Sequence, residues 1–273
     1  ILLAFAPAAI ETIDEKILSL ARQDEIYEKV KDFILGARAI NLVEFIGDNL
    51  EELEQKVTQI CQSLTLNQSQ LQQSTGYYLA QNETEISNLW DLRKRGVGLL
   101  GNAASDRKPI AFIEDTAVPP TCLASYIREF QDLLNAYQLD YAIYGHVDVG
   151  CMHVRPALDL KVPQDERLIR ELSDKVVALV RKYGGVMWGE HGKGFRSEYT
   201  PTFFGELYPE LGKIKAAFDP ENRLNPGKIV APNASSDGVV RVEAPLRGHF
   251  DRQVAQEVRS QYEVAFSCNG NGA

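Results

Sequence analysis

The stretch Tyr144-Gly-His146-Val-Asp148-Val-Gly150-Cys151-Met-His153-Val-Arg155 constrains the fold of this chain more than any other. On one straight strand, histidines seven apart would point to opposite faces. Apolar and β-branched residues flank Val149-Gly150 on both sides, and a turn there makes an antiparallel hairpin instead. A two-residue loop at Val149 and Gly150 pairs 148 with 151, 146 with 153 and 144 with 155. His146 and His153 then stand directly opposite, with Cβ atoms roughly 4.5–5.5 Å apart. That separation lets two imidazoles chelate one metal ion. Tyr144, Asp148, Cys151 and Arg155 have the same parity and share the face. Read without a metal, the stretch is a hairpin carrying two half-exposed histidines. Val-Gly suits a type I′ turn poorly, which favours a longer loop.

A second stretch, Val186-Met-Trp-Gly189-Glu190-His191-Gly192-Lys193-Gly194-Phe-Arg196, is a short apolar run that breaks into a glycine-rich loop. Three of the chain's 4 histidines lie in these two segments. His146, His153 and Glu190 make a three-ligand set with open positions, as catalytic metal sites require. His191 is then free to act as a base, although the converse, His191 as ligand and Glu190 as base, satisfies the same composition. Zn²⁺, Mn²⁺ and Fe²⁺ all suit two imidazoles and a carboxylate.

Gly145-His-x-x-x-Gly-x-x-His153, Gly189-Glu-His-Gly192 and Phe218-Asp-Pro-Glu-Asn-Arg-Leu-Asn225-Pro-Gly-Lys228-Ile, in that order, resemble the C-terminal domain of the FAD-linked 2-hydroxyacid dehydrogenases, the D-lactate and D-2-hydroxyglutarate group. Leu89-Trp-Asp-Leu-Arg93 and Glu114-Asp-Thr-Ala-Val-Pro119 look like the same family, and the resemblance covers roughly residues 1–231. It implies a substrate and metal domain with His146, His153 and Glu190 as ligands and His191 as base. It also implies FAD held mainly by a separate N-terminal domain, a small 2-hydroxy acid as substrate and a downstream electron acceptor. The chain departs from the family pattern in three places. Asp148-Val-Gly-Cys151 replaces the common Gly-Asp-Gly-Asn, Arg155 stands where the hydroxyglutarate enzymes tend to have Asn, and Ile113 stands where they use Lys.

Arg93 and Arg155 are the candidate carboxylate clamps, because a guanidinium binds a carboxylate bidentately. Arg93 falls on the apolar stripe Ile86, Leu89, Trp90 and Val97, so it needs an anionic partner; a snorkelling arginine or a structural ion pair explains it equally. In the resembled family the matching arginine grips the substrate carboxylate. Arg155, on the histidine face, reaches a second carboxylate, which favours a dicarboxylate such as D-2-hydroxyglutarate over D-lactate. Arg196 is a third substrate-binding candidate; it and Lys193 flank the base loop and read equally well as solvated charges. Asp148 is a candidate for orienting a histidine, and Cys151 reads as a small packed residue. Asn225 and Lys228 resemble the segment returning to the flavin domain, or form a plain helix-ending turn.

With 38 acidic against 29 basic residues the net charge is −9, which argues against a nucleic-acid partner and is ordinary for a cytoplasmic protein, free or peripheral on the inner face of a membrane. There is no run of about 18 apolar residues to span a bilayer. Cys61, Cys122, Cys151 and Cys268 have no CxxC spacing, which implies free thiols. Residues 232–273 read as a linker and the start of an iron–sulfur region, with the first residue and the lone terminal Cys268 both implying a piece of a longer chain. One cysteine holds no cluster, so an iron–sulfur cluster belongs to the full-length protein.

The periodicities predict a helix over Pro7–Ala21, a strand over Ala39–Ile46, a helix capped by Asp48 and a short strand at Tyr77–Ala80. Further on they predict a helix from Asn82, a strand over Ile110–Val118, a helix after Pro119-Pro120, the hairpin, a helix from Pro163 and one near Pro209–Phe218. The expected class is α+β: an antiparallel or mixed sheet with helices packed on one face, in ferredoxin-like units. A metal-dependent hydrolase using His146, His153 and Glu190 to activate water, and a non-catalytic binding domain, are the rival readings.

Overall fold

In the computed structural model, which describes residues 2–34, 36–66, 76–101, 106–192, 194–243 and 247–266, Asp14 divides the first apolar stretch in two. Ahead of it Ala9–Ile13 is strand β1; behind it Glu15–Ala21 is helix α1. Asp14 is extended (φ −87°, ψ 178°) and caps the helix by accepting from the Ile17 amide at 3.1 Å. Its other oxygen accepts from the Ile143 amide at 2.6 Å and so ties the cap to the sheet. The expected single helix over Pro7–Ala21 is thus corrected. Ile10, Ile13 and Ile17 mimic helical spacing because β1 is buried on both sides, so its apolar residues do not alternate.

β1 lies between β2 (Ile40–Glu44) and β5 (Tyr141–His146). β5 pairs in turn with β6 (Cys151–Leu158), whose outer edge takes two short strands, β3 (Lys108–Pro109) and β4 (Thr116–Ala117). Every one of these pairings is antiparallel. The helices are α2 (Tyr27–Ile34), α3 (Leu50–Leu66), α4 (Glu83–Gly101), α5 (Leu123–Ala136), α6 (Pro163–Lys182), α7 (Thr200–Phe204) and α8 (Tyr208–Phe218), with short helical turns after Arg247. An α+β antiparallel sheet with helices packed on it is therefore the architecture.

The helices cover both faces of the sheet, not one. Ile13, Ala142 and Tyr144 pack with Ile17 and Leu18 of α1, Val30 and Ile34 of α2 and Leu92 of α4. The opposite side chains, Ile143, Met152, Val154 and Leu158, pack with Tyr126, Phe130 and Leu134 of α5 and Ile169, Leu172 and Val176 of α6. Val242 is fully buried in this second core, and its amide donates to Glu198, which anchors the chain to the body at that residue.

Other expectations shift locally. Asn49, not Asp48, caps α3 through the Glu51 amide at 3.0 Å. Asn82 caps α4 through the Glu85 amide, while the Glu85 carboxylate returns to the Gln81 amide. Tyr77–Ala80 takes no strand partner among the described residues. The predicted strand over Ile110–Val118 is reduced to Thr116–Ala117 because Asp115 sits at φ 64°, which no extended strand accommodates. Lys193 and Cys268 lie outside the described residues.

Candidate metal and substrate site

The hairpin forms, with its register displaced. Tyr144 pairs with His153 and His146 with Cys151, so the turn has four residues, Val147 to Gly150. A one-residue slip would have sent every side chain to the other face; this two-residue shift keeps each where expected. Tyr144, His146, Cys151, His153 and Arg155 share one face, and the two imidazoles are diagonal neighbours with ring centroids 5.4 Å apart. Gly150 fixes the turn. It has φ 72°, and a Cβ there would lie 1.9 Å from the Val118 carbonyl oxygen.

The Glu190–His191 loop is brought over this face by β4. Ala117 and Val186 exchange two backbone hydrogen bonds, and the Gly189 amide donates to the Asp115 carbonyl at 2.7 Å. The Asp115 carboxylate then accepts from the Glu190 amide at 2.8 Å and the His191 amide at 3.0 Å. As a result Glu190 Oε1 lies 3.1 Å from His146 Nε2, 3.0 Å from His153 Nε2 and 3.1 Å from His191 Nε2. Three imidazole nitrogens thus converge on one carboxylate oxygen, a donor set that fits a divalent transition metal. The His191 ring also stacks on His153 at 4.8 Å. Glu190 and His191 are each 44% exposed in their side chains, which leaves the site open on one side.

Glu11 completes the support of the first histidine. It stands opposite His146 in the β1–β5 pairing and meets His146 Nδ1 at 2.5 Å. A carboxylate at Nδ1 holds a proton there, so that Nε2 would be the nitrogen to turn its lone pair to a bound ion. The orienting role expected of Asp148 therefore falls to Glu11, and Asp148 lies in the hairpin turn. His153 Nδ1 is buried without a hydrogen-bond partner among the described residues.

Both candidate clamps already hold a carboxylate of this chain. Arg93, on α4, donates from Nε to Glu11 at 2.8 Å. Arg155 grips Glu114 with Nε and Nη2. Their guanidinium carbons lie 5.1 Å and 5.6 Å from the centroid of the Tyr144 ring. Glu114 Oε1 is in turn 3.5 Å from His191 Nδ1. Two Arg–Glu pairs thus meet at one tyrosine, and each Glu reaches a different site histidine. Arg196 is buried, not solvated, and donates to the Glu114 carbonyl. Asn225 and Lys228 stand on the turn after α8, which Ser197 holds by accepting from the Ile229 amide at 2.8 Å.

Sequence reasoning missed Glu11, Glu114 and Asp115 as working parts of the site. The available signal was an acid set among β-branched and aromatic residues, Ile10-Glu-Thr-Ile13 and Phe112-Ile-Glu-Asp-Thr116. Buried acids need partners, and here the partners are the site.

Electrostatics sort the histidines. Burial holds the His153 imidazole down at about 4, in the neutral form that metal binding requires. At His146 burial pulls the same way, but the Glu11 and Glu190 carboxylates outweigh it and leave its pKa raised. At Glu190 burial favours the neutral acid, and the imidazoles, His146 first, outweigh it and leave its pKa lowered. For His153 the folded value lies below its ordinary 6.5, so the unfolded chain binds more protons between the two values. The stability from keeping this ring neutral is fully present above about pH 6.5. It is lost as pH falls toward 4, on the order of 3 kcal/mol in all. Urea unfolding at pH 7 and pH 4.5 should show a flatter pH dependence in His153→Gln than in the wild type. An unchanged dependence would contradict the buried neutral ring.

Residues 3–229 match the family described as FAD linked oxidases, C-terminal domain. Over 271 residues the chain is 48% identical to the D-2-hydroxyglutarate dehydrogenase of Pantoea ananatis (strain AJ13355), a match spanning 97% of this chain and 26% of that protein. The D-2-hydroxyglutarate dehydrogenase of Escherichia coli (strain K12) is also 48% identical, over 97% of this chain and 27% of its own length. That of Pseudomonas putida KT2440 is 46% identical over 278 residues, 100% of this chain and 27% of its own. The chain therefore spans about a quarter of the length of these relatives. With a matched segment that includes the hairpin, the Glu190–His191 loop and the Asn225–Lys228 turn, this chain belongs to the family of FAD linked oxidase C-terminal domains.

Proposed function

We propose that this chain is the substrate- and metal-binding part of an FAD-dependent dehydrogenase that oxidises a D-2-hydroxy acid to the 2-oxo acid, D-2-hydroxyglutarate ahead of D-lactate. The observation that carries the reading is the convergence of His146, His153 and His191 on the Glu190 carboxylate. Relatives at 46–48% identity are named D-2-hydroxyglutarate dehydrogenases, and a D-lactate dehydrogenase of Archaeoglobus fulgidus is 34% identical over 125 residues.

In this reading His146, His153 and Glu190 would hold a divalent ion, Zn²⁺, Mn²⁺ or Fe²⁺. Such an ion would supply Lewis acidity that lowers the pKa of the substrate alcohol. His191, open to solvent beside that position, takes the hydroxyl proton, with Glu114 near its Nδ1 to steady the ring. FAD, which a separate N-terminal domain would mainly hold, would supply the acceptor for the C2 hydride, with a downstream acceptor for the electrons. Asn225 and Lys228 are assigned to the flavin side. Arg93 holds the C1 carboxylate, with Arg196 fixing the Glu114 backbone beneath the clamp. Arg155, held by Glu114 through Nε and Nη2 and also bonded to Tyr144, is assigned to the distal carboxylate of a dicarboxylic substrate.

Residues 1–231 are assigned to the substrate and metal domain, and 232–273 to a linker and the start of an iron–sulfur region whose cluster belongs to the full-length protein. No helix among the described residues is long and apolar enough to cross a membrane. A cytoplasmic place, free or on the inner membrane face, is part of the same proposal.

The test is turnover of D-2-hydroxyglutarate and D-lactate by the full-length, flavin-loaded protein and by its Arg155→Met/Glu114→Gln variant. Changing both partners avoids leaving one buried charge alone. The preference for hydroxyglutarate, measured as the ratio of kcat/KM values, should fall about 10- to 100-fold in the variant, as loss of a charged hydrogen bond implies. An unchanged ratio would remove Arg155 from the distal subsite. Absence of turnover with either acid would overturn the reaction class.

A further inference from the structure

We infer that Asp115 is a positioning residue that presets the Glu190–His191 loop for metal binding without itself ligating the metal, an inference that rests on the metal reading above. By composition it qualifies as a ligand. One donor atom from each of Asp115, His153, Glu190 and His191 fits within a 4.8 Å cluster. Its hydrogen bonds point to a different task.

Asp115 is fully buried and adopts φ 64°, a left-handed conformation that a non-glycine residue holds only where its surroundings enforce it. That conformation turns three acceptors toward one short loop. The carbonyl takes the Gly189 amide at 2.7 Å, Oδ1 the Glu190 amide at 2.8 Å and Oδ2 the His191 amide at 3.0 Å. Oδ1 also faces the Cys151 thiol at 3.5 Å. Both carboxylate oxygens are thus committed to consecutive amides of the residues that carry the ligand and the base. The adjacent Glu114 side chain goes to Arg155 and His191, so one dipeptide sets the loop backbone through Asp115 and the clamp through Glu114. The left-handed φ is what brings both amides within reach of one carboxylate.

Asp115→Asn keeps the volume but places an amide donor opposite one of the two loop amides. Three measurements decide the matter. In the metal-free wild type, the Glu190 and His191 amides should exchange with solvent at least 10-fold more slowly than unprotected loop amides; rapid exchange there overturns the inference whether or not the variant folds. In Asp115→Asn these two amides should lose that protection while β5 and β6 amides keep theirs; unchanged protection overturns it. Mn²⁺ or Zn²⁺ affinity should fall about 10- to 100-fold in Asp115→Asn, the range seen for supports of a ligand shell. The double variant Asp115→Asn/Glu190→Gln should then bind no more weakly than Glu190→Gln alone, because Asp115 acts through the loop. Losses that multiply would make Asp115 a ligand and overturn the positioning role. A wild type that binds neither ion would sink the metal reading instead, and the exchange measurements would still decide whether Asp115 holds the loop.

Discussion

Replacing His191 by alanine in the full-length, flavin-loaded protein is expected to lower kcat for 2-hydroxy acid oxidation by about 100- to 10,000-fold, the usual contribution of a positioned base. Metal content should stay at the wild-type level. His191 presents Nε2 to the Glu190 oxygen at 3.1 Å, as His146 and His153 do, so geometry alone admits it as a ligand. Its environment separates it from them. His146 has a carboxylate at its other nitrogen at 2.5 Å, and His153 is 2% exposed, whereas His191 is 44% exposed and meets Glu114 only at 3.5 Å. A loosely held, accessible imidazole is suited to exchanging a proton; a buried or tightly oriented one is suited to holding an ion. Elemental analysis beside steady-state kinetics tests the division. If His191→Ala loses its metal while Glu190→Gln keeps it, the two roles are reversed.

Gly189→Ala is expected to cost at least about 100-fold in activity, since a displacement near 1 Å at a reacting group has that effect. A Cβ at this position would lie 2.3 Å from Cys151 Sγ and 3.1 Å from Asp115 Oδ1. Cys151 is buried on β6 directly opposite His146, and its own Cβ would lie 3.3 Å from the new methyl, so turning the thiol away relieves only part of the crowding. The loop must therefore lift, taking Glu190 away from the three imidazoles. Cutting the thiol away in Gly189→Ala/Cys151→Ala removes the worst clash but leaves the Asp115 contact, so activity should recover only in part. Full activity in Gly189→Ala would show that the loop is not held at the distance seen here. Full recovery in the double variant would place the whole constraint on Cys151, whose thiol burial and Asp115 push up to about 12 and keep from ionising.

Much of the site was legible in the sequence because face parity survives an error of two in register. Placing His146 opposite His153 rather than opposite Cys151 left all five strand residues on the correct side. The turn length was not legible. Val-Gly carries a single residue suited to positive φ, and the structure solves the turn with four residues, using Gly150 alone at φ 72°. Glu11 was hidden by a periodicity error. A central strand buried on both faces repeats Ile10 and Ile13 at helical spacing, and the acid between them then reads as a solvated helix position. Asp115 was hidden for another reason. Its task depends on a left-handed backbone inside an apparently regular strand, and residue type says nothing of that directly. Arg155 shows the limit of face parity: the sequence puts it beside the histidines, but only the fold reveals Glu114 already in its fork.

The most direct test is the metal content of the wild-type protein and of His146→Ala/His153→Ala after equilibration with Zn²⁺ or Mn²⁺ and removal of free ion. About one divalent ion per chain in the wild type, lost in the double variant, is the expected result for a catalytic site with three protein ligands. A wild type that retains no ion, or a double variant that retains as much as the wild type, would contradict the assignment of His146, His153 and Glu190 as a metal site.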